Sequence, residues 1–206
     1  VPGIAACAPP AAQAAAPPAA PAPIQDNSFL VEEAYNQEAH VVQHIFFWSH
    51  AEPINAYLLT FTQEWPLFSQ RHQLSYTIPR QSLGGSGGAA EGWGDLEVHY
   101  RYQWPGLDPD RLAMAPRLTL RLPTGASDKG LGTGAAGVQI NLPVSVALGS
   151  RFVSHTNAGV TYTDAGADPA SLGVNLGQSV VWLLRPRFNP LLELAWFRSK
   201  PVEGHT

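Results

Sequence analysis

The chain is poor in the features that would make several function classes plausible. Its 206 residues hold one cysteine, Cys7, so no intrachain disulfide can form, and no Cys/His group has the spacing of a zinc site. Charged residues make up only 14% of the chain, with a net charge of −4. The few Lys and Arg are scattered or alternate with leucines, so there is no basic stripe for nucleic acid. No apolar run reaches the roughly eighteen residues of a transmembrane helix. These absences point away from nucleic-acid partners, metals and cofactors.

What is present is alternation. In residues 95–104, Leu96, Val98, Tyr100, Tyr102 and Trp104 point one way, while Asp95, Glu97, His99 and Arg101 point the other. After Arg111, Leu118, Leu120 and Leu122 alternate with Arg117, Thr119 and Arg121. Similar segments near residues 41–49, 57–65, 74–78, 138–146, 151–162, 172–184 and 191–198 bring the total to about nine strands. Several approach the nine to eleven residues that a tilted strand needs to cross a bilayer. Pro116 and Pro143 fall inside strands, where a lost ladder N–H predicts local bulges.

A strand with one apolar and one charged face suits either a sandwich packed on a second sheet or a barrel whose outside meets lipid. Two patterns favour the barrel. Long Gly/Ser/Ala/Asp-rich connections (82–92, 125–134, 164–170) alternate with shorter ones (67–69, 105–110, 148–149, 186–189), as long extracellular loops and short periplasmic turns do. Trp65, Trp104 and Trp182 then lie on the apolar face near strand ends directed to one side, where an indole prefers the headgroup level. The fold expected is all-β, an antiparallel up-and-down transmembrane β-barrel over residues 39–206. Asp95, Glu97, His99, Arg101, Arg117 and Arg121 are the expected lumen-lining residues. Pairing through the 105–110 turn would set Asp95 near Arg121 and His99 near Arg117, a charge-compensated ladder that sets the field of a pore rather than a catalytic carboxylate pair.

Residues 1–25 are nearly all Ala and Pro and read as a signal remnant or linker. Residues 4–7, Ile-Ala-Ala-Cys, resemble a lipobox, which makes Cys7 the candidate acylation site, against an ordinary signal-peptide remnant. Residues 26–38 suggest a short periplasmic helix capped by Asp26, with Glu32 and Glu33 in its first turns and Phe29, Leu30, Ala34 and Tyr35 on one side. This block, with GWGDLEVHYRYQW (92–104), PRLTLRLPTG (116–125) and RFVSHTNAGVTYT (151–163), resembles the outer-membrane β-barrel proteins grouped under the meta-pathway of phenol degradation. The resemblance implies a monomeric barrel of the Gram-negative envelope that transports small solutes, aromatic or apolar ones among them, and it carries over no catalytic residues. Bacterial barrels have even strand numbers, so about nine strands ending at Thr206 suggest a fragment lacking roughly three.

Two other readings compete with a porin-like transporter of the bacterial outer membrane, whose partners would be lipid and a small solute. One is a soluble periplasmic β-sandwich or lipid-binding module. The other is an outer-membrane lipid hydrolase built on Ser154, His155, Thr156 and Asn157. Ser154 and Thr156 face away from His155 and Asn157, so a nucleophile–base pair would need a residue from another strand, and no enzymatic activity is expected. The Gly-rich stretches 84–88 and 130–137 lack the Lys and helix of a phosphate loop and read as mobile loops or strand starts.

Overall fold

The computed structural model describes residues 30–84, 90–108, 110–166 and 168–202. The suggested signal remnant, Cys7, Asp26 and most of the 84–88 stretch lie outside them. Alternating sequence becomes strand throughout: β1 (Gln43–Ala51), β2 (Ala56–Leu67), β3 (Ser69–Ser82), β4 (Glu91–Trp93), β5 (Leu96–Tyr102), β6 (Leu112–Met114), β7 (Arg117–Leu122), β8 (Gly137–Leu148), β9 (Phe152–Thr163), β10 (Ser171–Trp182) and β11 (Leu191–Pro201). They form one antiparallel sheet curled into a half-barrel, ordered β1-β2-β3-β5-β7-β8-β9-β10-β11, with β4 paired to β3 and β6 to β8. The nine strands of that path are the nine read from the sequence. Among the described residues β1 and β11 each pair on one side only.

Proline acts differently from expectation. β6 and β7 are one strand interrupted around Pro116, yet β8 runs unbroken through Pro143, which stays in register with Asn157 of β9. The reason lies in the hydrogen-bond direction: the Ala115 N–H donates to the Pro143 carbonyl at 3.1 Å, so the missing N–H of Pro143 faces the interrupted neighbour and costs β9 nothing. The register irregularity occurs instead at Pro66/Leu67.

Burial along the strands is inverted relative to a soluble sheet. In β7, Thr119 is 4% exposed and its neighbour Leu120 is 43% exposed. Rows of apolar side chains cross the strands on the outer face: Leu118, Ile140, Val160 and Val174 are successive register partners, and all four are exposed. The buried side chains are largely polar, among them Gln73, His99, Arg101, Asn141, Ser145, His155, Asn157 and Ser179. The buried apolar cluster is small, with Ala34, Ala113 and Ala115 and the adjoining Tyr35.

Two expectations require correction. Residues 30–38 are not helical; they run as an irregular, extended segment because their backbone groups bond to side chains of the sheet rather than to their own i−4 carbonyls. The pairing of β5 with β7 is shifted by two residues, so that Glu97 faces Arg121, His99 faces Thr119 and Arg101 faces Arg117. A shift of two preserves which side chains face inward, so the face assignment survives the wrong partners.

The connections sort by end more cleanly than by length. Of the described residues, 83–84, 90–95, 123–136, 164–166 and 168–170 lie at one end; Phe68 and residues 103–108, 110–111, 149–151 and 183–190 lie at the other. The 3₁₀ turn at Glu52–Ile54 is a short link on the long-loop end, and 183–190 exceeds 164–170 in length.

Candidate functional site

Residues 30–37 cross the strands on the polar face like a strap. Seven steps of extended chain reach about 24 Å, whereas the six strand intervals from β3 to β11 measure about 29 Å along the sheet. A chord shorter than its arc lies on the concave side. From one edge inward, the Glu193 carboxylate accepts the N–H groups of Leu30 (3.1 Å) and Val31 (3.3 Å). Asn157 forms a reciprocal pair with the Glu32 peptide group, accepting its N–H at 2.7 Å and donating to its carbonyl at 2.8 Å. Ser145 Oγ accepts the Ala34 N–H at 2.9 Å. Gln103 accepts from Asn36 N–H (3.0 Å) and donates to the Ala34 carbonyl (2.8 Å), and Gln73 Oε1 accepts the Gln37 N–H (2.8 Å).

Two arginines anchor the strap, Arg101 through hydrogen bonds to neutral oxygens and Arg117 through an ion pair. Arg101 donates to the Glu33 and Tyr35 carbonyls (3.2 and 2.6 Å), to Asn36 Oδ1 (2.9 Å) and to Gln73 Oε1 (3.1 Å). Arg117 pairs with Glu32, whose other carboxylate oxygen accepts from Asn141 Nδ2 at 3.1 Å. Val31 sits over Gly177, where an added Cβ would lie 3.1 Å from Val31 Cγ2. Gly159 similarly leaves room between the register partners Asn141 and Asn175, whose side chains join at 3.2 Å.

On the long-loop side of the strap the concave face opens into a cavity of 540 Å³ bordered by Thr60, Thr77, Gln81, Asp95, Glu97 and Arg121, next to a second of 300 Å³ that shares Arg121, Thr133 and Asp168 with it. Arg121 donates through Nε and Nη2 (3.0 and 2.8 Å) to one oxygen of Glu97. Asp95 accepts from Gly125 N–H, Thr133 N–H and Thr133 Oγ1 at 2.8–3.0 Å, and so folds the 123–136 loop over the chamber. A Cβ at Gly132 would come 2.5 Å from Asp95 Oδ1, so this glycine permits the clamp rather than marking a mobile loop. At the rim, hydrogen bonds from the Tyr57 hydroxyl and the Arg80 guanidinium hold the Glu91 carboxyl below its ordinary value.

The six expected lumen residues thus divide by task. Asp95, Glu97 and Arg121 border the chamber. His99 is enclosed between Thr77 Oγ1 (3.1 Å) and Thr119 Oγ1 (2.8 Å), and Arg101 and Arg117 hold the strap instead of lining open space. Sequence reasoning missed the strap-binding set Gln73, Gln103, Asn141, Ser145, Asn157 and Glu193. Its only trace is that amides recur at inward positions of strands whose outward positions are aliphatic. Trp104 and Trp182 are exposed and Trp65 half-buried, all three near the short-turn end of the outer face.

The Ser154/His155 region resolves as its alternation suggests: Ser154 and Thr156 bond to Gln178 on the outer side, while His155 is fully buried. His155 has two serines as register partners, Ser145 and Ser179, and Ser145 Oγ lies 2.7 Å from its Nδ1. No groups of three or more His, Cys, Asp or Glu that could hold a metal ion occur among the described residues. No protein-family model matches this chain, and no curated protein matches it.

Proposed function

We propose that the protein is a bacterial outer-membrane β-barrel that passes small solutes across the membrane through its polar inner side. The observation that carries this reading is the inverted burial of the strands, with aliphatic rows exposed on the outer face and arginines, amides and hydroxyls enclosed on the inner one. In water an exposed apolar surface this continuous is costly; in lipid it is the stable arrangement. Strand lengths of 11 to 14 residues in β2, β3, β8, β9, β10 and β11 meet the crossing requirement. The lipid reading also requires that the free edges of β1 and β11 be paired in the membrane, since unpaired N–H and C=O groups are untenable in hydrocarbon. The resemblance to the phenol meta-pathway barrels agrees with this reading and adds a monomeric state and small solutes, apolar or aromatic ones among them, as expectations.

The test is the solvent the protein needs. The refolded protein should be β-rich and dispersed in detergent or lipid vesicles and aggregate without them. A monomeric, folded protein in plain buffer would favour a soluble β-module and sink the membrane reading. A second reading, a lipid hydrolase, rests on the Ser145–His155 hydrogen bond. It requires that a serine-directed fluorophosphonate label Ser145, although Ser145 is fully buried and already accepts the Ala34 N–H. Failure to label in any lipid or detergent removes it.

A further inference from the structure

We infer that residues 30–37 are a releasable plug, and that their departure opens the route from the long-loop chamber to the short-turn end of the concave face. The inference builds on the channel reading above and specifies its gate. The strap's position makes it a barrier. On β5 it is held by Arg101, with Gln103 just past the strand's end, while the chamber begins at Glu97; on β3 it is held by Gln73 while the chamber begins at Thr77. On β9 the strap lies at Asn157, between the 300 Å³ cavity at Thr161 and the strand's start at Phe152. A solute leaving the chamber along the inner face therefore meets the strap.

Its bonding makes it releasable. The strap contacts described above run through sheet side chains, not through a backbone ladder, and none of the backbone–backbone bonds outside the strands joins residues 30–37 to the sheet. Each such amide, hydroxyl or carboxylate can exchange a peptide partner for water without disturbing the pairing of β3 through β11. The apolar anchoring is confined to Val31 over Gly177, Ala34 against Ala113 and Ala115, and Tyr35 packed on that cluster with its ring edge-on to His155 at 6.2 Å. The latch is Glu32, which joins Arg117 and Asn141 through its carboxylate and Asn157 through its peptide group.

The experiment places a reporter cysteine at Val31, which is 3% exposed, in a Cys7→Ser background of the full chain refolded in lipid vesicles. Maleimide should label this position slowly in the parent. In the combined Glu32→Gln, Asn157→Ala variant, with strand content unchanged by circular dichroism, it should label about tenfold faster or more, because the docked population is the one being shifted. Unchanged slow labelling in that variant, or fast labelling in the parent, would overturn the latch. In parallel, a strap locked by an Ala34→Cys/Ser145→Cys disulfide is compared before and after reduction for efflux of a small polar dye from the same vesicles. Flux rising about tenfold or more on reduction supports the gate. Measurable and equal flux in both states overturns the gate and leaves the channel reading standing. No flux in either state, with fast labelling in the released variant, overturns the channel reading and the gate with it.

Discussion

The outer and inner faces of β7 and β8 are made by neighbouring residues of the same strands, yet they solve opposite problems. Leu118, Leu120, Val138 and Ile140 carry no polar side-chain groups and need only an apolar solvent; Arg117, Thr119, Gln139 and Asn141 must each find partners. The partners come from adjacent strands, as in Gln139 to Thr161 at 2.9 Å, and from the strap, as in Arg117 to Glu32; elsewhere on the inner face a loop supplies them, as Thr133 does for Asp95. The comparison teaches that the sheet's order resides on its polar side. Its apolar side supplies the term that depends on where the protein is placed.

The sharpest way to break the comparison is a charge on the outer face. Leu120→Arg should destabilise the protein by about 2–4 kcal/mol in lipid if the site lies near the midplane. Unfolding in vesicles measures it, and a negligible effect would mean that the outer face does not meet hydrocarbon.

On the inner face, Arg101→Ala leaves the Asn36, Glu33 and Tyr35 acceptors without their charged donor and should cost about 1.5–3 kcal/mol. Because the loss falls on the strap, hydrogen exchange of residues 31–37 should accelerate more than exchange in β8 and β9. Uniform acceleration across both would mean that the strap and sheet unfold as one unit.

Gly132→Ala sharpens the loop contribution. The new Cβ would press on Asp95 Oδ1 and on Gly125 Cα at 2.9 Å, so we expect a loss of about 1–3 kcal/mol. The 123–136 segment should become susceptible to proteolysis while the strands persist. Retained protease resistance would show that the Asp95 clamp is dispensable.

Glu97→Gln should have the smallest effect, about 0–1 kcal/mol, since the Glu97–Arg121 pair is partly open to the chamber and an amide can still accept one hydrogen bond. A cost as large as that of Arg101→Ala would mean that the ion pair closes the inner face rather than bordering open space.

Much of this architecture is legible in the sequence because strand alternation is local. A period of two assigns faces without knowledge of partners, which is why the nine strands and the inward set 95, 97, 99, 101, 117 and 121 emerge from reading alone. Partners are not local. The turn over residues 103–111 shifts the β5–β7 pairing by two residues, and no periodicity distinguishes registers that preserve the same faces.

The strap marks the boundary between what sequence and tertiary structure decide. Residues 26–38 carry helix-compatible chemistry, and with no partner in view a capped amphipathic turn is the best local solution. The sheet offers a better one: Gln73, Arg101, Ser145, Asn157 and Glu193, from five strands, with Gln103 just past β5, present donors and acceptors spaced to receive an extended backbone. The sequence by itself determined that most of the long strands, β1 excepted, have one apolar and one polar face, since each residue's side is set by its parity along the chain. Only the tertiary structure decided where the polar groups find their partners, because those bonds join residues up to 163 positions apart and exist only once the sheet has curved around the strap.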